Sequence, residues 1–85
     1  SLLEKDTSIS LVLLDYDLPY MNGLEVLAKI RNKYPTLHVI MISGFPHITR
    51  RSMRSGAFAF IEKPIDFDDL QEVIWLYMDE KTAND

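Results

Sequence analysis

Residues 11–23 read LVLLDYDLPYMNG: four apolar side chains run straight into Asp15, Asp17 follows two places later, and Pro19 and Asn22-Gly23 mark a turn. A short, unbroken apolar run is how a strand covered on both faces of a parallel sheet reads. Its abrupt end places carboxylates at the carboxyl end of that strand, where open parallel sheets bind their ligands.

Working outward, the C-terminal side predicts a helix. Leu24, Leu27, Ala28, Ile30, Arg31 and Tyr34 recur at helical spacing, with Glu25, Lys29 and Lys33 opposite them, and Pro35 ends the pattern. Leu37 to Ile42 is a second apolar run, closed by Ser43-Gly44. His47 to Ser55 predicts a weaker helix marked by Ile48 and Met53, carrying Arg50, Arg51 and Arg54, with Gly56 as its C-terminal stop. Phe58 to Ile61 is a third run and ends in Glu62-Lys63-Pro64. Asp66 is a plausible N-cap for a last helix whose buried stripe is Leu70, Val73, Ile74, Tyr77 and Met78. Glu80 to Asp85 reads as a polar tail. On the N-terminal side, Ser1 to Lys5 reads as the last turn of a helix and Asp6-Thr7-Ser8 as a loop. Strands alternating with helices in this order imply a parallel sheet with right-handed crossovers.

The three runs end in Asp15, Ser43 and Lys63. If the strands are neighbours, a carboxylate, a hydroxyl and an ammonium converge on one small site. That set suits transfer of a phosphoryl group onto a carboxylate, where neutralising charge does most of the catalytic work.

On these residues the chain resembles the receiver domain of two-component response regulators. The matching pieces are the LVLLD strand, Asp15, Asp17, Pro19, Asn22 and Gly23 in their spacing, Ser43-Gly44, Gly56-Ala57 and FIEKP with Lys63-Pro64. The resemblance implies a flavodoxin-like, doubly wound α/β sheet. Here it would be truncated to about three strands, the family's 3-4-5, with helices on both faces. Residues 1–80 would be a partial receiver domain lacking its first strand, first helix and second strand, and 81–85 the tail. Asp15 would be the phosphoacceptor, with Ser43 and Lys63 as its partners. Ser43 and Phe60 would form the switch, and the Lys63-Pro64 bond would be cis. Mg²⁺ would be the cofactor, bound by Asp15 and by the backbone carbonyl of Asp17. The family's further acidic pair for that ion is absent from the sequence, so this chain is expected to take up phosphoryl groups poorly.

The implied partners are a sensor histidine kinase and an output domain beyond this chain, of the DNA-binding kind that many family members carry, in the cytoplasm. Self-association is expected through the Leu11–Leu14 strand edge or through the last two helices. There, Asp68, Asp69 and Glu72 could complement the arginines, and Trp75 lies off the buried stripe.

Two other classes fit some of the same residues. A haloacid-dehalogenase-like phosphatase also uses a strand followed by two aspartates with one residue between, a later Ser and Lys, and an acidic pair such as Asp68-Asp69. Pro19 and Asn22-Gly23 fit the receiver turn better. A phosphorylation-independent interaction module would need no intact Asp15, Ser43 and Lys63.

Bulk properties narrow the field further. At 85 residues one domain is the ceiling, and a chain of this size buries only ~60–65% of its unfolded surface. The net charge of −4 argues against direct nucleic-acid binding. With no cysteine there is no disulfide, thiolate metal site or Cys nucleophile. His38 in an apolar run reads as a strand-face residue and His47 as helix surface. No apolar run approaches the ~20 residues of a membrane span.

Overall fold

A computed structural model describes residues 10–84; the expected helix end and loop at residues 1–8 lie outside them. The described chain runs β1 (Leu11–Asp15), α1 (Gly23–Lys33), β2 (His38–Ser43), a 3₁₀ turn (Pro46–Ile48), α2 (Thr49–Arg54), β3 (Ala59–Glu62) and α3 (Phe67–Asn84). The strands form one parallel sheet in the order β1-β2-β3, with Leu11 opposite His38 and Ile40 opposite Ala59.

The central strand is buried on both faces, which is why it reads as a continuous apolar run. On one face Val39 and Met41 pack with Leu27 of α1, Ile48 and Ala57, and Leu14 and Phe60 lean on this cluster. On the other face Ile40, Ile42 and Ile61 pack with Leu11 and with Leu70 and Val73 of α3. Alternating side chains of one strand thus feed two cores.

Each helix starts or stops for a local reason. Asn22 caps α1, its Oδ1 accepting the Leu24 N–H at 2.9 Å. Gly23 sits where an added Cβ would stand 2.6 Å from the Tyr16 Cα, so the helix approaches β1 on a side-chain-free residue. Gly56 follows α2 at φ +103°, a conformation that costs a residue with Cβ ~1–2 kcal/mol. Asp66 Oδ1 accepts the Asp68 N–H at 2.8 Å and caps α3. The Lys63–Pro64 bond is cis.

Local expectations need correction in two of the helices. The segment expected to be one helix from His47 is a 3₁₀ turn followed by six helical residues. Ile48 is buried as expected, but Met53 is exposed and Ser52 is buried in its place. Ser52 lies one helical repeat beyond Ile48 and donates its Oγ–H to the Ile48 carbonyl at 2.9 Å, whereas Met53 is rotated off that face. In α3, Leu70, Val73, Ile74 and Tyr77 face inward to varying degrees, but Met78 is exposed. That helix also continues to Asn84, past the Glu80 at which its polar composition suggested an end. The Glu80 carboxylate lies 2.7 Å from His38 Nε2, and the Tyr77 hydroxyl bonds the Ser10 hydroxyl, tying its last turns to the sheet. No helix among the described residues is long and apolar enough to cross a membrane.

Candidate phosphoacceptor site

The strand register sets the site. Asp15 ends β1 opposite Ile42, Ser43 ends β2 opposite Glu62, and Lys63 follows directly on β3. Ladder bonds persist past the strand ends. Tyr16 N–H donates to the Ile42 carbonyl at 2.8 Å, and Lys63 N–H to the Ser43 carbonyl at 2.9 Å. The three strand tips are therefore fixed together by backbone before any side chain acts.

Across that platform Lys63 Nζ donates to Asp15 Oδ2 at 2.8 Å. The other oxygen, Oδ1, accepts the Asp17 N–H at 2.8 Å. The Lys63 hydrogen bond, aided by that N–H, holds the Asp15 carboxyl below its ordinary range, and Asp15 in turn raises Lys63. With Lys63 36% and Asp15 39% exposed, solvent screens the pair, so it contributes little to stability and acts mainly by position.

The expected site residues Asp15 and Lys63 thus meet directly. Ser43 is brought to the same tip with 0% exposure, but its hydroxyl is bonded to Asp17, not to Asp15. Phe60 lies on β3 beside Met41, half-buried against the core on the α1 face. His38 is a strand-face residue, its ring edge-on to Phe58 and Tyr77. Arg50, Arg51, Arg54, Asp68, Asp69 and Glu72 are exposed, and Trp75 is 70% exposed.

The structure adds a functional group that the sequence reading did not assign, the Asp17 side chain. Its Oδ1 accepts the Ser43 Oγ–H at 2.7 Å and its Oδ2 accepts the Gly44 N–H at 2.7 Å. Lys63 Nζ stands 3.5 Å from the same Oδ2. These bonds, that from Gly44 first, hold the Asp17 carboxyl below its ordinary range. The available signal was the spacing: residues two apart in extended chain project to the same side, so Asp17 could follow Asp15 into the site.

Mg²⁺ requires near-octahedral oxygen coordination. The described residues offer it the Asp15 carboxylate and the Asp17 carbonyl. Among them no group of three or more His, Cys, Asp or Glu side chains could hold a metal ion. They do not by themselves fit the ion.

The family model described as "Response regulator receiver domain" matches residues 1–75. A putative two-component response regulator of Arabidopsis thaliana is 36% identical over 66 residues, covering 78% of this chain and 12% of that protein. A DNA-binding transcriptional regulator of Proteus hauseri is 32% identical over 79 residues, covering 86% of this chain and 17% of that protein. The crystal structure of a CheY-like receiver domain protein from Methanospirillum hungatei superposes with a TM-score of 0.77 at 35% identity, covering 89% of this chain and 62% of that one. The chain therefore spans under a fifth of these two curated relatives. With the Asp15–Lys63 pair at the tips of a parallel sheet, and a match over most of its length, the chain belongs to the response regulator receiver domain family.

Proposed function

We propose that this chain receives a phosphoryl group on Asp15 and serves as a phosphoacceptor switch, not a turnover enzyme. The observation carrying this reading is the 2.8 Å contact between Asp15 on β1 and Lys63 beyond β3, made across the tip of β2. Held ionised, the Asp15 carboxylate is a nucleophile that needs no base. One of its oxygens attacks the phosphorus of a phosphohistidine or an acyl phosphate. A new O–P bond forms as the P–N or P–O bond to the donor breaks, and the leaving group departs with that electron pair. The Lys63 ammonium offsets the charge gathering on the phosphoryl oxygens, and the Ser43 hydroxyl donates to one of them.

Loss of the resting contacts of Ser43 and Lys63 then shifts a population of states, with half-buried Phe60 as the residue that repacks. An open groove of about 520 Å³, lined in part by Leu18, Tyr20 and Phe45, flanks Asp17 and leaves room for a donor. The donor in this reading is a sensor histidine kinase in the cytoplasm. The output is a domain beyond this chain, of the kind named in the DNA-binding relative. The acidic start of α3, the arginines of α2 and exposed Trp75 form its output or dimer surface.

Intact mass after incubation with acetyl phosphate, with and without Mg²⁺, tests the reading against an Asp15→Asn chain. Slow gain of one phosphoryl mass, lost in the variant, is the expected result. Equal labelling of the variant, or no label on the parent chain, overturns it.

A further inference from the structure

A phosphoryl group on Asp15 presents oxygens that need hydrogen-bond donors. The donors at the tip are the Ser43 hydroxyl, the Gly44 N–H and the Lys63 ammonium. In this structure Ser43 and Gly44 both donate to Asp17 at 2.7 Å, and Lys63, bonded to Asp15 at 2.8 Å, stands 3.5 Å from the same Asp17 carboxylate. Its side chain is only 19% exposed, more enclosed than the Asp15 it flanks. Ser43 is fully buried, and its oxygen also accepts the Phe45 N–H at 2.9 Å, which fixes where its own hydrogen can point. The donors therefore form a preorganised anion cradle, and a carboxylate already fills it.

We propose that the Asp17 carboxylate is a built-in competitor that occupies the Ser43–Gly44–Lys63 cradle and must be displaced before a phosphoryl group on Asp15 can use it. The inference rests on the phosphoacceptor reading and extends it to what sets the rate. Both anions cannot share the donors, since phosphorylation replaces the single charge of the Asp15 carboxylate with up to two on the phosphoryl group beside Asp17. Displacement is a side-chain rotation toward the adjoining groove, of which Asp17 is a lining residue. Forward transfer keeps the balance given above: the Asp15 O–P bond forms, the donor bond breaks, and Asp17 exchanges no atoms or protons. Asp17 is thus a positioning residue that acts by occupying the donors.

The test compares the 85-residue chain with Asp17→Ala, the isosteric Asp17→Asn, and Glu62→Gln as a control for removing one exposed negative charge next to Lys63. The rate of acetyl phosphate labelling is read by intact mass. Asp17→Ala and Asp17→Asn are expected to label about 10-fold faster, equivalent to ~1.4 kcal/mol, with Glu62→Gln unchanged. Equal or slower labelling of both Asp17 variants, or an equal gain in Glu62→Gln, overturns the proposal while leaving the phosphoacceptor reading intact. If no chain is labelled, the phosphoacceptor reading fails on its own, and orthophosphate titration followed at the Gly44 amide resonance becomes decisive. Saturation of Asp17→Ala at clearly lower phosphate than the parent supports the cradle. An identical response, including none in either chain, overturns it.

Discussion

Asp15 and Asp17 share one ammonium, and each bond they make is to the ionised carboxylate. Both carboxyls are held below the ordinary aspartate value of 3.8, so their contribution is complete above that value and is lost as pH falls through the lowered ones. Lys63 is raised, so its contribution is complete below 10.5 and lost only as pH rises beyond it. The site is therefore insensitive to pH between ~5 and ~9 and fails on the acid side. In metal-free buffer, the difference in thermal midpoint between the parent chain and Asp17→Asn should stay constant through neutral pH and shrink below 3.8. A difference that holds unchanged to pH ~3 would mean the Ser43 and Gly44 bonds do not favour the charged form. At this scale the sequence was readable where a residue ends a strand: Asp15, Ser43 and Lys63 lie where three apolar runs stop. For Asp17 it offered only the two-residue spacing from Asp15, not the direction of the side chain. A loop side chain is aimed by backbone turns that periodicity does not record, and only the folded chain shows the carboxylate turned back onto Gly44.

At the scale of elements, α1 is held by its first two residues. Asn22→Ala removes the cap on the Leu24 N–H and should cost ~1 kcal/mol. Gly23→Ala should cost more, ~1–3 kcal/mol, because the new Cβ meets backbone at 2.6 Å and the whole helix must shift away from β1. Urea unfolding of both variants checks the order. A Gly23→Ala chain as stable as Asn22→Ala would mean that α1 moves freely over the sheet. The same elements show why sequence patterns succeed and fail. β2 was legible because burial on both faces forces an apolar run. The arginine-bearing helix was misphased because a 3₁₀ turn precedes it, and tightening one turn rotates every later side chain. The last helix outran its expected end because residues 79–82 are polar but contain no glycine or proline to stop it. The His38 and Ser10 contacts that anchor its last turns come from residues far away in sequence.

For the whole molecule the question is what covers β1. Among the described residues that strand pairs only with β2, so its outer backbone groups face no partner strand, and Leu13 is 47% exposed. Its neighbour across the ladder, Ile40, is fully buried, so the contrast arises from position at the edge and not from composition. An apolar strand with a free edge is a template for a further strand. A second apolar surface lies on α3, where Trp75, Leu76 and Met78 are all exposed. These surfaces give distinguishable routes to self-association. Sedimentation velocity of this chain should show a weight-average coefficient that rises with concentration. Placing a charge in the edge strand with Leu13→Lys should abolish the rise if strands pair, because an inserted lysine blocks edge-to-edge addition. Trp75→Glu should abolish it instead if the helices meet. A sharp, concentration-independent monomer would sink both routes, and it would require the β1 edge to be tolerated in water as it stands. The strand route carries a further consequence for the site. β1 ends in Asp15, so a strand added along its edge would finish beside the proposed phosphoacceptor, and association and labelling would then depend on one another. Labelling measured across the same concentrations as sedimentation would reveal that dependence, and Leu13→Lys should remove it.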